Sequence, residues 1–279
     1  MSKSIKRYID LFIIPVLLLT ACSGNTSSLR GLARSNPVKS PASSIPLDCH
    51  GSELPRNDDA QEDTLPHENL TTTYCCSKSP TAHRFDSLGL VNIADLNSTI
   101  AVSLLYATPN NFVGEIMYDD LTEAYLHPEA AEALLKAQHL LKEKHPDYTL
   151  IIYDATRPMF AQQKMWDLVK GTSKSIYVSN PSRGGGLHNY GLAVDISILD
   201  ENGVPLDMGT IVDHLGPEAH ITNEADLVKK GVITGQAKEN RELLRSVMRG
   251  AGFRALHSEW WHFNLYSREV AKKNYKLID

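Results

Sequence analysis

The run Leu192-Ala193-Val194-Asp195-Ile196-Ser197-Ile198-Leu199 constrains the fold of this chain more than any other stretch. Its alternation and branched residues predict a β-strand. Yet the strand carries Asp195, and a carboxylate among apolar neighbours is costly unless it is paired or coordinates a cation. Two flanking patches supply what such a carboxylate needs. His188 precedes the strand in a turn that follows Gly184-Gly185-Gly186, and Ser258-Glu259-Trp260-Trp261-His262-Phe263 brings a second imidazole and a second carboxylate. A catalytic zinc takes three protein ligands and leaves a fourth position open. His188, Asp195 and His262 would supply two nitrogens and one oxygen, which leaves Glu259 for proton transfer.

Each of these residues also has a plainer reading. A histidine after three glycines is ordinarily a loop residue, and Trp260 and Trp261 read as core or wall packing. Glu259 and His262 stand three apart on an expected strand, where strict alternation would send them to opposite faces. A bulge, a loop or a strand edge must therefore bring both to one pocket. Arg157 falls between the β-rich run at 148–153 and a helix expected from Pro158, a junction where rigid elements hold a loop residue in place. Most arginines make surface ion pairs, but a guanidinium beside a metal would stabilise an oxyanion. Asp154 would either orient Arg157 or cap the following helix, and capping is the favoured expectation. His127, His145, His214, His220 and His257 show no partner pattern and read as loop or surface residues.

The rest of the folded portion reads as mixed. Alternating apolar positions between Asp86 and Tyr106 suggest one or two early strands, and Pro128 opens a helix that Pro146 ends. Further helices are expected over 158–169 and 238–249, and a strand over 255–265. The expected architecture is α+β: one compact catalytic domain over 85–279, with a small, mostly antiparallel sheet and flanking helices.

The front of the chain reads differently. Lys3, Lys6 and Arg7 precede the apolar run Leu11–Leu19, a signal-peptide pattern, and Leu19-Thr20-Ala21-Cys22 resembles a bacterial lipobox. A lipoprotein signal over 1–21 with lipidation at Cys22 is the expectation, the alternative being an ordinary secretory signal cut near Ala21. Ser23 after Cys22 points to the outer membrane, with the protein facing the periplasm. The segment 22–84, dense in Ser, Pro, Thr, Asn and Asp, cannot bury enough apolar surface to offset chain entropy and reads as a tether. About 60 such residues have an r.m.s. reach of roughly 40 Å.

Cys49, Cys75 and Cys76 all fall in that front section, so the candidate site is not cysteine-based. In an oxidising compartment Cys49 is free to pair with either of the others, leaving one thiol over. The net charge of −5 offers no basic field for nucleic acid, which is not expected as a partner.

The motifs together resemble the VanX-type D-alanyl-D-alanine dipeptidases, zinc enzymes related to D,D-carboxypeptidases and more distantly to the Hedgehog signalling domain. Besides the two metal patches, Tyr106-Ala107-Thr108 with Asn111-Phe112-Val113-Gly114, then Asp154-Ala155-Thr156-Arg157-Pro158, then Met208-Gly209-Thr210 with Asp213, occur in the family's order. The resemblance implies the Hedgehog/D,D-peptidase-like fold and one zinc held by His188, Asp195 and His262. It implies Glu259 as the catalytic carboxylate and Arg157 as a stabiliser of the transition state. Tyr106 and Asp213 match positions lining the dipeptide site, with Asp213 where the substrate's amino group binds. The substrate implied is free D-Ala-D-Ala; a D,D-carboxypeptidase acting on muropeptides and a catalytically silent zinc-containing binding module are the alternatives. One departure stands out. Gly186 and Leu187 occupy positions where better-known members carry serines, leaving the Gly186 N–H as the expected donor there.

Overall fold

The computed structural model describes residues 78–279. The signal segment 1–21, Cys22, Cys49, Cys75, Cys76 and most of the expected tether lie outside these described residues. The first helix, α1 (Pro80–Ser87), crosses the boundary expected at 84/85, because Ala82 and Phe85 are fully buried in the main core. Ser79 caps it by accepting the Ala82 N–H, with Pro80 at the first helical position.

The stretch expected to hold one or two strands is more broken than its alternation suggests. It contains β1 (Val91–Asn92), the one-turn α2 (Ile93–Leu96) and β2 (Ala101–Val102), followed by a 3₁₀ turn over Leu105–Ala107. Asn92 accepts the Ala94 N–H and thereby starts α2, which interrupts the extended run. β3 (Tyr125–Leu126) pairs antiparallel with β1 in a separate two-stranded ribbon.

Helix α3 (Pro128–Lys144) begins at Pro128 as expected and buries Ala130, Ala131, Leu134, Ala137 and Leu141 along one stripe. Its Gln138 locks the helix to the next strand, β4 (Thr149–Asp154). The amide oxygen accepts Leu150 N–H at 3.0 Å and the amide nitrogen donates to Thr149 Oγ1 at 2.7 Å. After α4 (Met159–Val169) comes β5 (Ala193–Leu199), then the short α5 (Glu224–Lys229) and α6 (Gly235–Gly250). The chain closes with the hairpin β6 (Arg254–Leu256) and β7 (Glu259–Asn264), and then α7 (Arg268–Asn274).

The main sheet runs in the order β2-β4-β5-β7-β6. Only the β2/β4 pair is parallel, so the small sheet is mostly antiparallel. β5 lies in the middle and every one of its residues is buried. Val194, Ile196 and Ile198 enter the main hydrophobic core, while Asp195 and Ser197 alternate with them. The carboxylate that looked costly in the sequence is thus at the centre of the fold, 4% exposed.

Candidate active site

Three adjacent strands set out the site in one row. Asp154 on β4 stands opposite Asp195 on β5, and Asp195 stands opposite His262 on β7. Directly opposed residues project to the same face of a sheet, so this register gathers the three side chains. Two irregularities make the row possible. In β4 the register shifts between Ile152 and Asp154, so that Asp154, rather than Tyr153, pairs with Asp195. In the β6/β7 hairpin the register breaks so that Leu256 lies opposite Glu259. Trp260 and Trp261 are buried in succession, which departs from alternation. Glu259, Trp261, His262 and Asn264 line one cavity, while Trp260 turns away and donates its indole N–H to Thr210 Oγ1 at 2.8 Å. The bulge resolves the three-residue spacing of Glu259 and His262.

His188 arrives from the 3₁₀ turn Leu187–Tyr190 just before β5. Gly191 ends that turn with φ +67°, and a Cβ there would stand 2.9 Å from the His127 backbone nitrogen, so both conformation and space demand glycine. Asn189 staples this turn to the loop carrying Arg157: its Oδ1 accepts the Gly186 N–H at 2.8 Å and its Nδ2 donates to the Arg157 carbonyl at 2.7 Å. The expected free donor at Gly186 is therefore engaged within the protein.

The three proposed ligand groups converge. His188 Nε2 lies 3.2 Å from His262 Nδ1 and 3.4 Å from Asp195 Oδ1, and His262 Nδ1 lies 2.9 Å from Asp195 Oδ1. All their ligand atoms fall within 4.8 Å of one another. The outer nitrogens decide which lone pairs face inward. His188 Nδ1 is 2.7 Å from the Ala155 carbonyl, which only accepts, so the proton sits on Nδ1 and the Nε2 lone pair faces the cluster. His262 Nε2 lies 2.9 Å from Asn264 Oδ1, which likewise places the proton outward and leaves Nδ1 for the cluster. A buried set of two inward imidazole lone pairs and a carboxylate suits a borderline cation such as zinc.

The electrostatics agree. Burial opposes the Asp195 charge, but the two imidazoles outweigh it and hold the carboxyl well below its usual range. For His262, burial disfavours the cation, yet hydrogen bonding and the charge of Asp195 push it up to about 9. At neutral pH Nδ1 therefore carries a proton as well, and a metal ion must displace it to reach the inward lone pair, so the position is one where positive charge is favoured.

Asn264 escaped the reading of the sequence, although its place two residues beyond His262 on a strand puts it on the same face. Asn264→Ala is expected to weaken divalent-cation binding by roughly 10–100-fold, as loss of an orienting partner typically does. Competition against a chelating dye reads this directly; unchanged affinity would show that Asn264 does not set the His262 tautomer.

Arg157 is 8% exposed and rigidly held. Its Nε and Nη2 donate to Asp154 Oδ2 at 3.1 and 2.6 Å, its Nη1 donates to Gln162 Oε1 at 3.1 Å, and its plane lies 4.8 Å from the Tyr106 ring centroid. Nη2 is 4.0 Å from Asp195 Oδ2, so the guanidinium borders the cluster. The helix-capping expectation for Asp154 is overturned. α4 is preceded by Pro158 with no side-chain cap, and Asp154 is spent on Arg157 and on Tyr118 Oη, 2.5 Å away. A buried guanidinium demands a carboxylate partner, and that demand takes Asp154 away from the helix end.

Asp213 occupies another wall. It is the non-glycine residue with positive φ, +65°, among the described residues, a conformation that costs about 1–3 kcal/mol and concentrates at functional sites. Its Oδ1 accepts from Tyr106 Oη at 3.1 Å, and its Oδ2 is shut off from solvent with no partner. Burial, then the charge of Asp195, raises its carboxyl to about 7. Glu259 is also raised, by burial against the pull of His262, whose Nδ1 is 3.9 Å from Glu259 Oε2.

The cavity these residues enclose measures about 200 Å³. That is below the roughly 300–1,000 Å³ common for drug-sized ligands, so the occupant is small. A larger apolar cavity of about 600 Å³ around Met208, Ile211 and Trp260 contains none of the clustered titratable groups. Among the other histidines, His214 reaches Glu218 at 2.9 Å and His145 stacks on Tyr148, local contacts in keeping with their plain reading.

Comparison with known proteins places this geometry. A family model described as D-ala-D-ala dipeptidase, Peptidase_M15, matches residues 86–278. The chain is 32% identical over 180 residues to the D-alanyl-D-alanine dipeptidase of Escherichia coli K12, covering 64% of this chain and 86% of that protein. It is 28% identical over 176 residues to a Synechocystis protein of the same name, covering 53% and 71%, and 29% identical over 184 residues to the Enterococcus faecium one, covering 57% and 83%. With the family model spanning well over half of the chain and the α+β fold matching expectation, the protein belongs to the Peptidase_M15 family of metallopeptidases, described as D-Ala-D-Ala dipeptidases.

Proposed function

We propose that this protein is a zinc-dependent D-Ala-D-Ala dipeptidase of the bacterial cell envelope, acting on peptides from peptidoglycan turnover. The observation that carries this is one small cavity holding an inward-facing His188/Asp195/His262 set, an unpartnered Asp213 oxygen and a buried Arg157. A lipid on Cys22 and the tether behind it would keep the enzyme at a membrane facing the periplasm, with Ser23 favouring the outer membrane.

His188, Asp195 and His262 would hold the zinc, which would supply Lewis acidity toward the scissile carbonyl and toward water. The residues of the chain do the rest. Asp213 pairs with the substrate ammonium and fixes the amino end. Glu259, whose carboxyl burial raises above the ordinary glutamate value, takes the proton from the attacking water and returns it to the leaving amine. Arg157, already oriented by Asp154 and Gln162, stabilises the negative charge that develops on the carbonyl oxygen. Tyr106 holds Asp213 in position through its hydroxyl.

Release of free alanine is the test, measured for D-Ala-D-Ala, L-Ala-D-Ala and a stem pentapeptide, with zinc and after chelation. Chelator-sensitive cleavage confined to the D,D-dipeptide supports the proposal. Preference for the pentapeptide would make the protein a D,D-carboxypeptidase, and no turnover would make it a binding module. The pH dependence adds a second check. Only ionised Asp213 pairs with an ammonium, and its carboxyl sits near 7, so KM for the dipeptide is expected to fall as pH rises through that region. Asp213→Asn should raise KM and flatten the profile; a wild-type KM independent of pH between 5.5 and 8.5, about 1.5 units either side of that value, would remove Asp213 from ammonium recognition.

A further inference from the structure

A dipeptide carries a carboxylate as well as an ammonium, and the mechanism above leaves one cation on the cavity wall unused. Arg268, at the start of α7, lines the same cavity as the His188/Asp195/His262 cluster. Its Nη2 donates to the Arg183 carbonyl at 3.1 Å, and its buried Nε has no partner. Among the described residues it makes no ion pair, unlike Arg157 and Arg245, which are both matched to carboxylates. A half-buried guanidinium with an orphaned donor beside a small polar cavity is costly unless a ligand completes it.

We infer that Arg268 binds the substrate's terminal carboxylate, making it a specificity-determining residue on the wall of the cavity. Its position fits. Asp213 is held by Tyr106, which packs on Arg157, whereas Arg268 is tied to the loop that carries Gly186 and Leu187. The ammonium and carboxylate groups thus have separate anchors on separate elements. The same loop offers a neutral donor. A Cβ on Gly186 would stand 2.9 Å from Ser179 Oγ, so the glycine leaves room for the Ser179 hydroxyl on the cavity wall, near the guanidinium's loop. A planar guanidinium fork is suited to bidentate carboxylate recognition, and the Ser179 hydroxyl is a second donor on the wall of the same cavity.

This rests on the proposed peptidase activity but separates from it experimentally. Hydrolysis of D-Ala-D-Ala, of its C-terminal amide, and of a stem pentapeptide as acid and amide is compared for zinc-loaded wild type, Arg268→Ala and Arg268→Lys. For the acids, Arg268→Ala is expected to raise KM by roughly 10–100-fold, the usual scale for losing hydrogen bonds to a charged group. The amides should bind wild type poorly and be little affected, and Arg268→Lys should recover part of the preference for acids. Equal losses for acid and amide would mean that Arg268 only braces the Arg183 loop, and wild type accepting both alike would overturn the inference while leaving the dipeptidase standing. Cleavage of the pentapeptide alone, with the acid preference still dependent on Arg268, would overturn the dipeptidase reading and uphold the inference. No cleavage of any of the four overturns both.

Discussion

Glu259→Gln is expected to lower kcat by about 10²–10⁴-fold while leaving metal content and thermal stability close to wild type, the span typical of a lost general acid–base. The side chain is a clean target because its carboxylate accepts no hydrogen bond among the described residues, and its ion-pair contact there, to His262 Nδ1, is a long 3.9 Å. Glutamine keeps the volume and removes the proton-carrying function together with the carboxylate charge. The desolvation that raises Glu259 also means that its basic form grows as pH rises. The wild-type kcat should therefore climb with pH from the acid side, and that limb should vanish in the variant. Single-turnover measurement with metal content read alongside decides the matter; a kcat within tenfold of wild type would remove Glu259 from proton transfer.

The second large effect is expected at Arg157, where structure and catalysis are joined. Arg157→Met takes the guanidinium away from Asp154, which is 1% exposed, and a buried charge stripped of its partner typically costs about 3–5 kcal/mol. Tyr118 still donates to Asp154 and reduces that loss. On the proposed mechanism kcat should also fall by about 10²–10³-fold, the usual cost of losing one transition-state charge stabiliser. The two effects come apart in the double variant Arg157→Met/Asp154→Asn. Removing the orphaned charge should recover much of the stability and none of the turnover. Recovery of both would show that Arg157 acts only as the partner of Asp154, while stability unchanged in the single variant would contradict the buried pair.

Some features of this fold were open to a reader of residues. β5 declared itself because branched residues in alternation suit a strand, and Asp195 within it signalled a compensating partner. α3 announced itself through a helical stripe and a proline at the first turn, and α6 through the glycines at 250 and 252 that close it. The early strands did not, because alternation over a few residues cannot foresee that Asn92 caps a helical turn in their midst. The helix at Pro80–Ser87 was hidden in a polar stretch, since its burial depends on only two apolar residues meeting a distant core.

The site divides along the same line. Residue chemistry alone determined which groups could share a cation, since two imidazoles and a carboxylate are a matter of composition and local pattern. Their meeting was decided by tertiary structure: the cross-strand register Asp154–Asp195–His262, the shift at Ile152/Asp154 and the bulge that turns Glu259 and His262 into one cavity. Only the fold assigns Asp154 to Arg157, gives the Gly186 N–H to Asn189, and makes Ala155 and Asn264 the groups that aim the imidazoles. The physical reason is range. Strand and helix preferences, and the cost of burying a charge, act through a residue's own neighbourhood, whereas hydrogen-bond partners are chosen among groups that only packing brings within 3 Å or so.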